Sequence, residues 1–287
     1  MGRYHQYSED MNSKLREEGR GKGEGAEYRP WIMINDFASR GRGHRIPDPY
    51  FGRTHYFFSD LEARYFFYLR WDESVLDIRE QYPLSPDRTL KIAERLGVWH
   101  HRNPDGSLFV MTTDFLITRR DAESGEVRYY ARSVKRADDL RTSDTRLKEK
   151  LQIEYEYWHA FGVDWKVVTE DSFSKVVSDN ARLLLSRYGD SIPSNHEEIE
   201  EALFSMLVKM QDHSLAEVCS NLDRQFSLED GSSLHLVYYL AAHKKLTFDM
   251  HQMIRPAKTI KQLLDISEVN EYISGGDLHG NTSQSGL

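Results

Sequence analysis

The first clear helical pattern of apolar residues lies in the second quarter of the chain. Leu61, Tyr65 and Leu69 recur every four residues, and Ser59 precedes them where a helix N-cap would stand. This spacing predicts an amphipathic helix that begins near residue 60. A second helix is predicted over Pro86–Leu96, because a proline opens the segment and a glycine directly follows it.

Two β-rich segments, 108–118 and 127–134, come next, and a turn-forming stretch with the sequence DAESGE separates them. They predict a β-hairpin. Short strands are predicted at 75–78 and 165–168, and a further helix at 143–161. The order helix, strand, hairpin, helix, strand predicts an α/β fold with a mixed sheet.

The pattern changes after residue 171. Helical periods are found at 172–188, 196–212, 214–226 and 233–245. We therefore expect an α/β domain over 31–171, followed by a small helical, winged-helix-like domain over 172–273. The first 30 residues are rich in glycine and charge and predict a mobile arm, and the tail 274–287 is low in apolar residues and predicts disorder.

Composition excludes several classes of protein. The chain has 287 residues, and its 38 Lys and Arg residues against 46 Asp and Glu residues give a net charge of −8, which argues against a polycation that coats nucleic acid. A single cysteine excludes a disulfide framework and a cysteine-rich zinc module, and it fits a reducing cytoplasm. No signal peptide or membrane-spanning run of apolar residues is recognisable, so we expect no membrane association.

The charge is unevenly distributed, since six of the eight excess negative charges lie after residue 171. The first part of the chain has two windows in which arginines cluster, and these arginines are candidate contacts to DNA phosphates. They are Arg40, Arg42, Arg45 and Arg53 in one window, and Arg128, Arg132 and Arg136 in the other. The alternative is that these arginines are merely solvated at the surface.

Two residues of the predicted hairpin are candidates for chemistry. Asp114 lies inside an otherwise apolar strand, where an ionised carboxylate is costly unless it is paired or binds a metal. Lys135 lies at the end of the partner strand, so both side chains can meet at one sheet edge. An acid, a hairpin and then a lysine resemble the PD-(D/E)xK arrangement of metal-dependent nucleases. An ordinary ion pair at the sheet edge is the alternative.

Phosphodiester cleavage of this kind needs hard oxygen ligands for Mg²⁺, with Mn²⁺ as a substitute. Asp114 supplies one such ligand, and the backbone carbonyl of Val134 is a second candidate. The usual acid two residues before the lysine is absent, because Ser133 stands there. Glu62, in the first turn of the helix near residue 60, is the best substitute, and Glu154 on the later helix is the next.

Several longer blocks of sequence are more specific than this spacing. They are GRGKGEGAEYRPW (19–31), SRGRGHRI (39–46), GRTHYFFSDLE (52–62), WDESVLDIREQYPL (71–84), TTDF (112–115) and SVK (133–135). Together these blocks resemble the TnsA endonuclease subunit of heteromeric transposases. The resemblance extends from about residue 19 to the strand predicted at 165–168.

The resemblance implies a restriction-endonuclease-like N-terminal domain and a helical, winged-helix-like C-terminal domain. It implies cleavage of transposon-end DNA at the 5′ ends, on the strands that are not transferred, while a separate DDE transposase (TnsB-type) cuts and joins the 3′ ends. It also implies an AAA+ ATPase regulator (TnsC-type) that binds the C-terminal domain.

Residue by residue, the resemblance places the catalytic glutamate on Glu62, the aspartate on Asp114 and the lysine on Lys135. The family's acid on the following helix corresponds to Glu154. One position departs from the pattern: the family commonly has glutamine where this chain has Ser133, whose shorter side chain puts direct contact in doubt.

Two other functions fit part of the same pattern. One is a non-catalytic adaptor that recruits the AAA+ regulator through the acidic C-terminal domain. The other is a stand-alone repair or restriction nuclease of the same fold. Neighbouring genes for a DDE transposase and an AAA+ ATPase would distinguish the transposition nuclease from the stand-alone enzyme.

Overall fold

The structure is a computed structural model that describes residues 8–36, 42–142, 144–191, 196–265 and 267. It divides the chain into two units, Met1–Lys175 and Val176–Leu287. This boundary lies four residues beyond the change of pattern predicted after residue 171.

The first unit is built around strands and the helices that flank them. In chain order these are α1 (Glu9–Glu17), β1 (His44–Asp48), β2 (Arg53–Phe57), α2 (Asp60–Trp71), β3 (Val75–Pro83), α3 (Pro86–Leu96), β4 (Thr112–Arg120), β5 (Val127–Val134), α4 (Ala137–Arg141), α5 (Thr145–His159) and β6 (Asp164–Val168). Two short 3-10 helices, Gly25–Glu27 and Ile34–Asp36, lie before β1.

Four strands form the central sheet in the order β3-β4-β5-β6. The pairs β3–β4 and β4–β5 are antiparallel, whereas β5–β6 is parallel, so the sheet is mixed as predicted. Strands β1 and β2 form a separate antiparallel hairpin that the apolar pattern did not reveal.

Apolar residues cover both faces of the sheet. On one face Phe66 of α2 and Phe57 of β2 pack in the same buried cluster as Phe115 of β4. On the other face Leu116 of β4 packs with Trp158 of α5, in a cluster that also includes residues of α3. Because residues 115 and 116 point to opposite faces, helices flank the sheet on both sides, and the predicted α/β class is confirmed.

The prediction of a mobile arm over residues 1–30 is wrong for the part that the structure describes. Residues 9–17 form α1, and Leu15 of this helix is buried with Trp31 and Val110. The hydroxyl of Tyr28 donates a hydrogen bond to the backbone oxygen of Glu80 at 3.0 Å. Composition failed here because a few large apolar residues anchor the segment, while its glycines form turns with positive φ.

Element boundaries also differ in the hairpin and the helix that follows it. Strand β4 begins at Thr112, four residues later than predicted, because pairing with β3 ends there. The predicted helix 143–161 begins later, at Thr145, since the Asp144 side chain caps its first turn.

The second unit is helical, as predicted. It contains α6 (Lys175–Leu185), α7 (His196–Lys209), α8 (Leu215–Gln225), α9 (Ser232–Ala242) and α10 (Ile260–Leu263). Its described residues contain isolated β-bridges, Ser214↔Thr259 and Phe248↔Leu264, but no longer strand. The winged-helix detail therefore stays a prediction, and the predicted disordered tail 274–287 lies outside the described residues.

Across the described residues, no helix combines the length and the apolar character that a membrane span requires.

The second unit allows a direct test of its packing through Cys219 on α8. This cysteine is buried, and burial followed by the charge of Asp223 raises the pKa of its thiol to about 12. At pH 8 only about one thiol in ten thousand would be ionised at that pKa. We expect the native chain to resist alkylation by iodoacetamide and the urea-unfolded chain to react at the rate of free cysteine. Mass spectrometry measures the rate of alkylation in each state. Equal alkylation rates in the native and unfolded chains would contradict this packing.

Candidate active site

Asp114 lies where two strands of the sheet stop pairing. The β4–β5 register runs from Phe115↔Arg132 to Arg120↔Val127, so Asp114 is the first residue beyond the paired segment. The backbone N–H of Val134 donates a hydrogen bond to Oδ2 of Asp114 at 2.7 Å. A carboxylate has therefore taken the place of a strand carbonyl as the acceptor, which fixes its position against the backbone of β5.

The other neighbouring strand is also irregular at this level. The pairs Glu80↔Phe115 and Tyr82↔Thr113 place Gln81 opposite Asp114. Gln81 is buried and has φ of 49°, in the left-handed region that costs a residue with a side chain about 1 kcal/mol or more. Its side-chain oxygen accepts a hydrogen bond from the hydroxyl of Thr112 at 3.0 Å. Asp114 thus lies at an irregularity in both of its neighbours.

Lys135 contacts the same carboxylate. Its Nζ lies 2.7 Å from Oδ2 of Asp114 and 2.8 Å from the backbone oxygen of Val134. The N–H of Lys135 donates to the carbonyl of Val168 on β6, which holds the main chain in place. Burial alone would lower the pKa of Lys135, but the charge and hydrogen bond of Asp114 outweigh it and raise the pKa. The side chain is therefore an ammonium ion.

Glu62 is held at the start of α2 by the backbone before it. Its carboxylate accepts hydrogen bonds from the N–H of Phe58 at 3.1 Å and the hydroxyl of Ser59 at 2.8 Å. The Ser59 hydroxyl in turn accepts from the N–H of Glu62. Burial, and then the negative charge of Asp114, raises the pKa of Glu62 to about 7. A buried acid whose pKa is raised by a neighbouring carboxylate favours a cation nearby.

Glu154 reaches the site from α5. The hydroxyl of Ser133 lies 2.7 Å from each of its carboxylate oxygens, and Thr113 donates to one of them at 2.8 Å. Trp158 donates its indole N–H to the Thr113 hydroxyl at 2.7 Å. Burial and the charge of Asp114 raise the pKa of Glu154. The Ser133 side chain therefore contacts an acid of another element directly.

The donor chemistry fits a hard divalent cation. No group of three or more histidine, cysteine, aspartate and glutamate side chains with the geometry of a metal site is found in the described part of the chain. The candidate ligands are instead two carboxylates, Glu62 and Asp114, and one backbone carbonyl, that of Val134. These are oxygen donors of the kind that Mg²⁺ and Mn²⁺ prefer, and the set contains no nitrogen or sulfur ligand that would favour zinc.

Two of the predicted DNA-contacting arginines are engaged within the protein. The guanidinium of Arg53 is buried, where it binds the carboxylate of Glu80 and the backbone oxygen of Ile78. Arg132 donates to the backbone oxygen and the carboxylate of Asp164 and is mostly buried. Both are withdrawn from the predicted DNA surface, because long-range partners that the sequence pattern did not reveal occupy their donors.

Of the other predicted arginines, Arg42, Arg45 and Arg136 are exposed and have no ion-pair partner among the described residues. Arg136 directly follows Lys135 and is the best placed of the three. Arg128 is also exposed, but it pairs with Glu126 and lies seven residues, or roughly 23 Å of strand, before Lys135. It does not lie beside the site. Arg40 lies outside the described residues.

Sequence reasoning missed the groups that hold the acids in place. These are the N–H of Phe58, the hydroxyl of Thr113, the indole of Trp158 and the strained backbone of Gln81. The hydroxyl next to Asp114 in the stretch TTDF was a visible signal for Thr113. The Phe58 N–H lies only four residues before Glu62, so the predicted cap at Ser59 was a local signal for it. The Trp158 contact joins residues 45 apart, and the positive φ of Gln81 has no signal in the spacing along the chain.

A mixed sheet flanked by helices, with an acid and a lysine meeting where two strands diverge, defines a restriction-endonuclease-like nuclease domain. Comparison with known proteins agrees. A model described as TnsA-like endonuclease N terminal matches residues 72–170, and one described as TnsA endonuclease C terminal matches residues 174–250. The first match includes Asp114, Lys135 and Glu154 and begins after Glu62.

A relative matches over nearly the full length of both chains. The chain is 34% identical over 269 residues to "Transposon Tn7 transposition protein TnsA" of Escherichia coli, and the alignment covers 92% of this chain and 96% of the relative. With both family models matched in order, the chain belongs to the TnsA endonuclease family.

The hydroxyl contacts to Glu154 predict a pH-dependent loss of stability in Ser133→Ala. Removing this donor raises the pKa of buried Glu154 further above its unfolded value, so stability is lost as pH rises above about 4.5. We expect Ser133→Ala to lower the free energy of unfolding by about 1–3 kcal/mol at pH 8 and by less at pH 5. Urea unfolding of the wild type and of Ser133→Ala at pH 5 and pH 8 measures this difference in free energy. Ser220→Ala, at an exposed serine, is the control. An equal loss at both pH values would contradict it.

Proposed function

We propose that this chain is a Mg²⁺-dependent DNA endonuclease that cleaves the 5′, non-transferred strands at transposon ends during cut-and-paste transposition. The observation that carries the proposal is the single oxygen of Asp114 that binds both the Val134 N–H and the Lys135 ammonium where β4 and β5 diverge. Membership of the TnsA endonuclease family supports the reaction class, and the relative's printed name, a transposition protein, supports the context.

Glu62, Asp114 and the backbone carbonyl of Val134 would hold the cation, with Mn²⁺ able to replace Mg²⁺. When bound, a divalent cation supplies charge neutralisation at the scissile phosphate and lowers the pKa of a coordinated water. The raised pKa of Glu62 supports this assignment, because a cation beside two close carboxylates would favour the ionised form of both.

Lys135 would serve as a proton-bearing electrostatic group. Its raised pKa keeps it an ammonium at neutral pH, so it can donate hydrogen bonds to the attacking water and to the phosphate oxygens as negative charge develops on them. Its contacts with Asp114 and Val134 place it beside two of the candidate metal ligands.

Glu154 would act through its neighbours or as a second-tier metal ligand. Both of its oxygens already receive hydroxyl donors from Ser133 and Thr113, each of which adjoins a proposed metal ligand, Val134 or Asp114. We therefore assign Glu154 first as a positioning residue that fixes the ends of β4 and β5.

The proposed partners are transposon-end DNA, a DDE transposase (TnsB-type) and an AAA+ ATPase regulator (TnsC-type). The regulator would bind the helical unit, where most of the chain's excess negative charge lies. The exposed Arg42, Arg45 and Arg136 would contact the DNA backbone. Because the net charge is −8 and Arg53 and Arg132 are engaged within the protein, we expect weak DNA binding by the chain alone. We also expect a cytoplasmic enzyme that depends on its partners.

Replacing Asp114 tests the nuclease directly. Asp114→Asn keeps the shape but removes the charge that pairs with Lys135 and would bind the cation, so we expect 5′-strand cleavage to fall at least about 100-fold while 3′-strand cleavage by the transposase continues. Strand-specific gel mapping of excision products, with both partners present, measures this. Asp138→Asn, at an exposed acid on α4, is the matched control. Normal 5′ cleavage by Asp114→Asn would exclude the proposal.

Metal binding has a readout that needs no DNA. Mg²⁺ should raise the melting temperature of the wild-type chain, since a ligand that binds only the folded state stabilises it. Glu62→Gln removes one charged ligand and should abolish most of that rise, even if the variant melts at a higher temperature without metal because a buried charge is gone. Thermal unfolding with and without Mg²⁺ measures both. An undiminished rise in Glu62→Gln would remove Glu62 from the ligand set.

A further inference from the structure

A cavity of about 480 Å³ opens on the side of the sheet covered by α3 and α5. Its wall includes Trp99, His101 and Phe109 from the segment between α3 and β4, and Arg146 and Lys150 from α5. Its volume lies within the range of about 300–1,000 Å³ that is usual for small-ligand sites. None of these residues takes part in the proposed metal site.

The aromatic wall is a continuous set of rings. Trp99 and His101 meet edge to face with centroids 5.2 Å apart, and His101 and Phe109 do the same at 5.0 Å. Burial, followed by the charges of Lys150 and Arg146, lowers the pKa of His101, which favours an uncharged ring. Trp99 is 50% exposed. An indole left half in water beside a cavity presents a flat apolar surface to a ligand.

Two cations, Arg146 and Lys150, and one acid, Glu149, flank this aromatic surface. The guanidinium of Arg146 lies 4.7 Å from the centroid of the Trp99 ring and is also paired with Glu149 at 3.0 Å. Lys150 is exposed one turn further along α5. Flat rings next to positive charge complement a base that carries a phosphate.

The cavity lies on the same elements as the candidate active site. Met111, in its wall, is three residues before Asp114, or about 10 Å of extended chain. Ile153, also in its wall, directly precedes Glu154. Since bases in one strand are spaced at about 3.4 Å, the wall of the cavity at Met111 lies within about three nucleotides of a phosphate at Asp114.

We propose that this cavity binds one unstacked base of the DNA strand beside the scissile phosphate, with the base against Trp99 and the adjoining phosphate on Lys150 and Arg146. The inference rests on the proposed nuclease function and names a substrate contact of that same site. A peptide of a partner protein is the competing occupant, but the cations and the closeness to Asp114 favour the nucleotide. Such a contact would select DNA that is locally unpaired at the cleavage position.

The test uses the full-length chain without divalent metal and a short single-stranded oligonucleotide that contains 2-aminopurine. Stacking of this fluorescent base in the cavity should quench its emission. Trp99→Ala should weaken binding by roughly 5- to 150-fold, the usual range for loss of one base–aromatic stack. Trp99→Phe, which keeps a flat ring, should stay within about threefold of the wild type.

Two further variants define the contact. Lys150→Ala should reduce affinity and make it less dependent on salt, because one phosphate contact is lost. Tyr155→Ala removes an exposed aromatic residue of α5 that is absent from the cavity wall and should bind like the wild type. Circular dichroism confirms that each variant is folded.

Several outcomes would overturn the inference. Absence of quenching by the wild-type chain, or equal affinity of Trp99→Ala, would do so. Weaker binding of the partner transposase by Trp99→Ala, with unchanged oligonucleotide binding, would assign the cavity to a protein partner instead. Failure of the proposed function would give a different result, namely normal 5′-strand cleavage by Asp114→Asn. The cleavage assay is independent of the quenching measured with the Trp99 variants, so the two failures can be told apart.

Discussion

A completely buried carboxylate, that of Glu80, joins the parts of the first unit that carry the candidate site. It binds the guanidinium of Arg53, the imidazole of His55 and the N–H of Tyr56, all from β2. Burial alone would raise the pKa of Glu80, but His55 and Arg53 outweigh it and lower the pKa to about 2. These contacts join β2 to β3, because moving β2 away would leave the Glu80 charge buried and unpaired.

That constraint determines where the acids of the site lie. Strand β2 leads directly into Phe58 and the cap that holds Glu62, and the residue after Glu80 is Gln81, the strained position opposite Asp114. Beside Asp114 the β4–β5 pairing ends and the Asp114 carboxylate accepts from the β5 backbone instead, while on the β3 side the register continues past the strained Gln81. The site thereby has an acid that accepts from the Val134 N–H and pairs with Lys135, and whose charge raises the pKa of Glu62.

Much of this was predictable, and what was missed has a common cause. Local signals predicted the helix cap at Ser59 and placed Glu62 in the first turn after it. The predicted hairpin placed Asp114 and Lys135 at one sheet edge, where the structure has them. Arg53 and Arg45 lie in the same arginine-rich window of the sequence. Arg53 is buried because it pairs with Glu80, 27 residues away, whereas Arg45 is exposed. The β1–β2 hairpin and the folded segment 8–30 likewise depend on distant partners. Periodicity and caps indicate local structure. Whether a polar group is buried depends instead on the hydrogen-bond and ion-pair partners that distant segments supply.

The central claim is that Glu62, Asp114 and the carbonyl of Val134 form one cation site. Crystals of the full-length chain soaked with Mn²⁺, measured for anomalous scattering at the manganese edge, test it most directly. We expect an anomalous peak within about 2.5 Å of oxygens from all three residues, with the Lys135 ammonium moved away from the Val134 carbonyl. A well-ordered site without such a peak, or a peak elsewhere that leaves the Lys135 contacts intact, would contradict the claim.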